Sequence, residues 1–248
     1  MTEQTMNQLI KGKHAVMEAM NSDAVEVDRI MISFLLKGKA DISQILNIAK
    51  EKKIKIQFLS PKTITEQFPD EDNSQGIFAY TLKFSFYGIE NLIKDPENHQ
   101  KVVILDHIQD PHNFGAILRT CECFGFKNVI FPKDRNAQLS PTVSKTSAGA
   151  YSHLNLIRVT NLHQSLMKLK KAGYWIYGTC PENGQALNQI KAHTPFAIII
   201  GNEHKGLSPL LKKVTDDTIY IPMSGNIQSL NASVSTGVVL YGLNQSQS

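Results

Sequence analysis

The chain has 248 residues, of which 42% are apolar and 19% charged, and its formal net charge is +4. This composition is that of a globular protein with one large domain or two ordinary ones, and it excludes a low-complexity chain. No apolar run approaches membrane-spanning length, and the N-terminus lacks the apolar core of a signal peptide, so we expect no membrane partner and place the protein in the cytoplasm. The three cysteines are predicted to be reduced thiols.

The first 85 residues alternate between helical and strand patterns. GKHAVMEAM, ISQILNIAKEKK and PKTITEQF predict helices, and VDRIMISF, KIQFLS and QGIFAYTLKF predict strands. Together they predict a compact αβαβαβ domain over residues 1–85. Residues 86–100 are mostly polar and contain Asp-Pro, which predicts a linker or a linking helix.

A second and larger α/β domain is predicted over residues 101–248. Its strands are VVILD, KNVIF, YWIYGT, PFAIIIG and DTIYIPM, and its helices are FGAILRTCECF, NLHQSLMKLKKAG and LNASVSTGVVLYGL. The last helix has an apolar face at Leu230, Val234, Val238 and Tyr241. Strands that alternate with helices favour a mainly parallel sheet with helices on both faces, and ligands of such sheets bind beyond the carboxyl ends of the strands.

Three unusual loops follow strands of this second domain. In DPHNFGAILR, Asn113 is predicted to cap the helix, and Arg119 points away from the buried stripe. Spacing alone favours an ion pair between Arg119 and Glu122, whereas the polar turn before the helix favours a functional arginine. GNEHKGLSP and IPMSGNIQSLNAS are the other two loops; they contain Glu203 between glycines, and Ser229 and Asn231 as cap or ligand groups.

Several common site types are absent from the sequence. We find no Gly-x-Gly-x-x-Gly motif, phosphate loop, zinc-ligand spacing or Gly-x-Ser-x-Gly elbow. A dehydrogenase-like nucleotide site is therefore disfavoured and no metal is expected. Residue patterns alone predict a two-domain α/β protein with a polar site built from loops.

Three segments, LDHIQDPHNFGAILRTCECFG, IIIGNEHKGLS and IPMSGNIQSLNASVSTGVVLYG, resemble the signature motifs of the SpoU family of RNA 2′-O-ribose methyltransferases, which belongs to the SPOUT superfamily. The resemblance covers residues 101–243. The GKHAVMEAM opening and residues 132–150 are similar to the branch that methylates guanosine in 23S rRNA, in which an L30e-like RNA substrate-binding domain comes first. The chain departs from the usual family pattern at His204 and Ala232; neither change removes a functional group.

The resemblance implies a C-terminal trefoil-knotted SPOUT domain, which general folding rules would disfavour, and a homodimer formed through that domain. It implies S-adenosyl-L-methionine as the cofactor, with contacts from Thr179, Gly201, Ile221, Met223 and Leu230. The catalytic residues it implies are Arg119, Asn113, Glu203, Ser229 and Asn231. The family assigns the matching arginine to the 2′-oxygen, often as a general base, but a charged guanidinium has no acceptor lone pair, so positioning and phosphate binding are at least as plausible.

For the RNA partner, the basic candidates are Lys13, His14, Lys133, Arg135 and Lys145. Two other functions stay open at this point. One is a tRNA ribose methyltransferase of the same class, and the other is a non-catalytic RNA-binding or ribosome-assembly protein that retains the fold.

Overall fold

The computed structural model describes residues 2–69, 75–181, 184–202, 206–225 and 229–246. The strands of this part of the chain are β1 (Thr2–Lys11), β2 (Val25–Ser33), β3 (Lys55–Leu59), β4 (Ile77–Phe86), β5 (Lys101–Leu105), β6 (Asn128–Pro132), β7 (Asn155–Val159), β8 (Trp175–Thr179), β9 (Gln185–Ala186), β10 (Phe196–Ile200) and β11 (Asp217–Tyr220). The helices are α1 (Lys13–Asn21), α2 (Ser43–Glu51), α3 (Pro61–Gln67), α4 (Ile89–Lys94), α5 (Pro111–Cys123), α6 (Pro141–Thr146), α7 (Leu162–Lys171), α8 (Pro209–Lys212) and α9 (Ala232–Gln245). None of the helices in the described ranges is long and apolar enough to cross a membrane.

The chain forms two compact units. The N-terminal unit consists of residues 2–85 and 139–153, and the C-terminal unit consists of residues 86–138 and 154–248. The N-terminal unit holds a four-stranded sheet in the order β1-β4-β2-β3, in which β2 is antiparallel to β4 and parallel to β3. The predicted α/β character of this region is confirmed. Strand β1 was not predicted, because TEQTMNQLIK is largely polar and shows no regular apolar alternation.

The C-terminal unit is built on a seven-stranded sheet in the order β7-β6-β5-β10-β8-β11-β9, and every adjacent pair is parallel. The central strand β10 is buried along its whole length, as expected for a strand covered on both faces. Helices α4, α7 and α8 contribute Leu92, Leu166 and Leu211 to one core cluster. The predicted parallel α/β sheet is therefore confirmed, and part of the expected linker forms the helix α4.

The start of α5 differs from the prediction. Asp110, not Asn113, caps this helix: its carboxylate accepts a hydrogen bond from the His112 amide at 3.0 Å. Pro111 occupies the first helical position, where its fixed φ suits the helix and its missing N–H costs nothing. Asn113 therefore lies inside the first turn, where it is 9% exposed. The predicted cap Asn161 of α7 is confirmed by a hydrogen bond from the Gln164 amide at 3.0 Å.

The apolar face predicted for α9 does not face the core. Val234, Val238 and Tyr241 are 52%, 39% and 56% exposed. The buried face is instead formed by Ala232, Thr236, Val239, Leu240 and Leu243. The helix is apolar on both sides, so periodicity identifies two stripes but cannot tell which one packs. Its C-terminal end is fixed by Asn244, which accepts a hydrogen bond from Lys101 Nζ at 2.7 Å and donates one to the Phe124 carbonyl at 3.0 Å.

Residues 139–153 pack with the first 85 residues, although they lie in sequence within the predicted second domain. The hydroxyl of Ser22 donates a hydrogen bond to the Ser152 carbonyl, and Glu18 pairs with His153. Gly149 lies so close to α1 that a Cβ on it would be 2.6 Å from the Glu18 Cβ and 3.3 Å from the Ala15 Cα. This close approach requires glycine, and the backbone φ of +84° does too.

We predict that Gly149→Ala destabilises the N-terminal unit more than Gly38→Ala. Both glycines have a left-handed φ, which costs alanine about 1 kcal/mol. A Cβ at Gly38 would meet nothing within 4 Å, whereas at Gly149 overpacking should add about 1–3 kcal/mol. Hydrogen exchange of α1 and residues 139–153 in both variants measures the difference. Equal protection in the two variants would show that the close approach is not needed.

Candidate active site

The first group of candidate residues lies at the carboxyl ends of three neighbouring strands. Strands β10, β8 and β11 are adjacent in the sheet, and Thr179, Gly201 and Ile221 lie at or just beyond their ends. Thr179 joins two of these ends, because its hydroxyl donates to the Ile199 carbonyl at 3.0 Å and accepts from the Gly201 amide at 3.3 Å. The ends of parallel strands meet at one edge of a sheet, which is where ligands bind in α/β folds.

These ends enclose a cavity of about 430 Å³, which we call the strand-end cavity. This volume is within the usual range for small-molecule sites. All five residues predicted to contact a cofactor line it, as does Ser229: they are Thr179, Gly201, Ile221, Met223, Leu230 and Ser229. Met223 and Leu230 are each 41% exposed, so two large apolar side chains are available to a ligand.

Gly201 allows the backbone to close the cavity on one side. A Cβ at this position would lie 2.6 Å from the Gly206 carbonyl carbon and 2.8 Å from the Leu207 nitrogen. Asn202 and Gly206 are joined by two backbone hydrogen bonds, at 3.1 and 2.9 Å. A side chain at Gly201 would therefore force these backbone segments apart.

A pair of asparagines connects the loop before α9 to the first turn of α5. Asn231 caps α9, because its Oδ1 accepts from the amides of Ser233 at 2.9 Å and Val234 at 3.4 Å. Its Nδ2 donates to Oδ1 of Asn113 at 3.1 Å. Two of the predicted catalytic residues are thus in direct contact, although they are 118 positions apart.

Arg119 is exposed on α5, and its guanidinium makes no hydrogen bond or ion pair with any residue in the described ranges. The pairing with Glu122 that spacing favoured is not observed, since Glu122 binds Lys127 Nζ at 3.0 Å instead. Arg119 is not among the residues that line the strand-end cavity. The other predicted catalytic residue, Glu203, lies outside the described residues.

A buried carboxylate that sequence reasoning did not single out ties two loops together. Asp106 directly follows β5 and is 2% exposed; its Oδ2 accepts from the Ser208 amide at 2.9 Å, and its Oδ1 contacts Nδ1 of His107 at 2.5 Å. Asn202, which lines the strand-end cavity, donates to the His107 carbonyl at 2.9 Å. An acidic residue immediately after a fully apolar strand was the signal that could have identified it.

The predicted RNA-contact residues fall into two groups. Lys13, His14 and Lys145 belong to the N-terminal unit, at the start of α1 and in the last turn of α6. Lys133 and Arg135 lie in the C-terminal unit, in the loop after β6, and both are exposed. Lys145 was expected in the second domain, and its position follows from the packing of residues 139–153.

The described lining of the strand-end cavity offers groups that suit ligand binding. It consists mainly of backbone groups, hydroxyls and apolar side chains, with the Asn202 carboxamide, the Cys180 thiol and, among the described residues, Lys212 as its one charged group; sequence reasoning did not identify Lys212. Groups of three or more potential metal ligands do not occur among the described residues. Cys121 is buried, and burial raises the pKa of its thiol, so this cysteine is not a nucleophile at neutral pH.

Comparisons with known proteins agree with this arrangement. A family model described as the SpoU rRNA Methylase family matches residues 100–241, and one described as RNA 2'-O ribose methyltransferase substrate binding matches residues 9–87. A Staphylococcus saprophyticus protein named as a TrmH family tRNA/rRNA methyltransferase is 39% identical over 236 residues, which are 94% of this chain and 93% of the relative.

Two solved structures share the fold. An AdoMet-bound rRNA methyltransferase from Sinorhizobium meliloti has a TM-score of 0.81 at 19% identity, covering 96% of this chain and 87% of its own. The A. aeolicus TrmH/SpoU tRNA modifying enzyme has a TM-score of 0.55 at 27% identity and covers 64% of this chain and 84% of its own. Since the first family model matches more than half of the residues and the relative aligns over nearly the whole length, the chain belongs to the SpoU rRNA methylase family.

Proposed function

We propose that this protein transfers a methyl group from S-adenosyl-L-methionine to a ribose 2′-oxygen in RNA, and that its target is a guanosine of 23S rRNA. The observation that carries the proposal is the strand-end cavity, which brings together residues from three separate loops in a chain of the SpoU family. Residues 101–248 would form the trefoil-knotted methyltransferase domain, residues 1–85 an L30e-like RNA substrate-binding domain, and residues 86–100 the connection, with residues 139–153 packed in the N-terminal unit. An rRNA substrate also implies the cytoplasm as the place of action.

The strand-end cavity fits S-adenosylmethionine. Met223 and Leu230 offer apolar contacts for a purine, and Gly201 and Ile221 bring backbone groups to the same lining. The hydroxyl of Thr179 holds the adjacent strand ends at a fixed spacing. When bound there, S-adenosylmethionine supplies an activated methyl group.

The protein's own contribution is to orient the ribose and its phosphate. Proximity and orientation are the main sources of acceleration when the methyl donor is already activated. Arg119 has a guanidinium free of internal partners in the described part of the chain, and a planar charged fork suits phosphate and ribose oxygens. The hydrogen bond between Asn113 and Asn231 fixes α5 against the start of α9, and Ser229 presents a hydroxyl at the cavity. Glu203 would orient Arg119 or neighbouring amides.

We predict that Arg119→Ala lowers the rate of methyl transfer at least about 100-fold and leaves the affinity for S-adenosylmethionine within twofold. The reason is that Arg119 does not line the cavity that we assign to S-adenosylmethionine, and its proposed role is to orient the RNA ribose and phosphate. Methyl transfer from tritiated S-adenosylmethionine and calorimetric titration of the cofactor measure the two effects. Lys127→Ala removes another positive charge close to α5 and is the matched control. Full turnover by Arg119→Ala would remove this residue from the mechanism.

The N-terminal unit supports an rRNA target over a tRNA target. The rRNA methyltransferase from S. meliloti covers 96% of the chain, whereas the tRNA-modifying enzyme from A. aeolicus covers 64%. The region matched by the substrate-binding family model, residues 9–87, is therefore an addition to the minimal enzyme. Lys13, His14, Lys133, Arg135 and Lys145 are the residues we propose for contacts with RNA phosphates.

We predict that the purified protein methylates 23S rRNA from cells lacking its gene, and that mass spectrometry locates the mark on the ribose of one guanosine. Unmodified tRNA and 16S rRNA serve as controls. Methylation of the tRNA instead would favour the tRNA enzyme. Absence of calorimetric heat with S-adenosylmethionine would favour a non-catalytic RNA-binding protein on the same fold.

A homodimer through the C-terminal unit is the assembly we propose. Val234, Val238 and Tyr241 form an exposed apolar stripe at i, i+4 and i+7 on α9. An apolar stripe of this kind on a helix is more typical of an interface than of a free surface. The Tyr241 ring also lies 6.1 Å from the ring of Phe124, which extends the stripe onto the end of α5.

We predict that Val238→Glu converts a dimer into a monomer at protein concentrations near 10 µM. An unpaired charge in a buried interface costs about 3–5 kcal/mol, which raises the dissociation constant by about 100-fold or more. Sedimentation velocity measures the change, and Gln245→Glu, an exposed position near the end of the same helix, is the control. Identical sedimentation of Val238→Glu and the wild type would exclude this stripe as the interface.

A further inference from the structure

A second cavity lies in the C-terminal unit at the carboxyl ends of β5, β6 and β7. Its volume is about 350 Å³, and we call it the β6 cavity. The residues that matter for its chemistry are Asp106, His107, Asp134, Arg135, His163 and Leu210. None of the roles proposed above for the methyl donor or the ribose uses this cavity.

The loop that carries Arg135 is held rigidly. Asn136 accepts a hydrogen bond from the Ile108 amide at 2.9 Å, and the Ala137 amide donates to the Ile108 carbonyl at 2.8 Å. On the other side, the Lys133 amide donates to the Val159 carbonyl at 2.8 Å. The loop between β6 and residue 138 is therefore fixed to the turns that follow β5 and β7.

Two non-glycine residues of the cavity have a left-handed backbone. The φ angles of His107 and Arg135 are +63° and +58°. Such conformations are strained for non-glycine residues, and they concentrate at functional sites. Here the fixed loop offsets that strain and holds the arginine at the cavity.

Two side chains of the β6 cavity can donate to a phosphate, although the carboxylates of Asp106 and Asp134 also line it. The guanidinium of Arg135 and the imidazole of His163 make no hydrogen bond or ion pair with residues in the described ranges, although Asp134 immediately precedes Arg135. Because Nδ1 of His107 is engaged by Asp106, Arg135 and His163 are the donors that we assign to the phosphate. Leu210 is 54% exposed at the same cavity and offers an apolar surface for the face of a base.

The β6 cavity and the strand-end cavity share a wall. Asn202 lines the strand-end cavity and donates to the carbonyl of His107, which lines the β6 cavity. Leu207 lines the first cavity and its neighbour Ser208 the second, where the Ser208 amide is bound by Asp106. An RNA strand with a ribose at the first cavity can therefore place a nearby nucleotide in the second.

We propose that the β6 cavity binds one unstacked nucleotide of the RNA substrate next to the methylated one, with its phosphate on Arg135 and His163 and its base against Leu210. This inference rests on the proposed function for the identity of the ligand as RNA. Sequence-specific RNA recognition commonly uses single nucleotides that are splayed out of a helix in this way. The β6 cavity would then select the sequence beside the target, while the strand-end cavity holds the methyl donor.

The test uses the full-length protein saturated with S-adenosylmethionine. Nucleoside 5′-monophosphates and single-stranded RNA tetranucleotides are titrated by calorimetry into the wild type, Arg135→Gln, His163→Gln and the control Lys171→Gln, which changes an exposed charge at the far end of α7. We expect Arg135→Gln to weaken binding at least about tenfold, because a charged hydrogen bond contributes about 1.5–3 kcal/mol. The nucleotide affinity of the control Lys171→Gln should stay within twofold of the wild-type value. The affinity of all variants for S-adenosylmethionine should also stay within twofold. In methylation assays the KM for rRNA should rise while kcat stays within twofold.

The inference is overturned if Arg135→Gln binds the monophosphates and tetranucleotides as tightly as the wild type does. It is also overturned if monophosphate and S-adenosylmethionine compete for binding. Tetranucleotides that bind no more tightly than monophosphates would show a site for free nucleotides and refute the RNA assignment. If the wild type methylates no RNA but Arg135→Gln still loses nucleotide binding, the proposed function fails while the nucleotide site stands.

Discussion

The buried carboxylate of Asp106 is the interaction on which both cavities depend. It follows β5 directly and binds the Ser208 amide from the loop after β10, while its other oxygen holds the imidazole of His107. A carboxylate that is 2% exposed is stable only when its oxygens are hydrogen-bonded. The hydrogen bonds of Asp106 therefore stabilise its buried charge, and they also hold the two loops in place. Because β5 and β10 are adjacent and parallel, a single side chain can bridge their ends. The wall between the strand-end cavity and the β6 cavity is built on this bridge.

The parallel sheet explains why so much of the site could be predicted from the sequence. Apolar runs such as VVILD and AIII predict where each strand reaches the edge of the sheet. The polar loops that follow parallel strands lie at the same edge, so they are expected to be close together. The family resemblance assigned Thr179, Gly201 and Ile221 to the cofactor, and all three line one cavity at the strand ends. What a strand pattern cannot give is the order of strands in the sheet, and so it does not say which loops become neighbours.

The features that the sequence did not reveal depend on tertiary contacts. Residues 139–153 carry their own cap and glycine signals, but their packing against α1 depends on the fit between Gly149 and Glu18. Helix α9 has one apolar stripe that packs and another that is exposed, and composition does not distinguish them. Helix propensity makes both Asp110 and Asn113 candidate caps for α5, and Pro111 after Asp110 favours the former. Asp110 is the cap, and the side-chain oxygen of Asn113 instead accepts a hydrogen bond from Asn231. Predicting Asn113 as the cap concealed a contact between two proposed catalytic residues.

The distribution of backbone strain and charge matches the two roles that we propose for the C-terminal unit. At the strand-end cavity, glycine at position 201 lets two backbone segments approach closely, and the lining offers a ligand mainly backbone and apolar groups. At the β6 cavity, histidine and arginine occupy left-handed positions that glycine would fill at lower cost, so side chains are retained there against a backbone penalty. A small molecule that every reaction uses is suited to the first environment. An RNA strand, which is recognised by its charge and by the face of a base, is suited to the β6 cavity. Asp106 connects the walls of the two cavities.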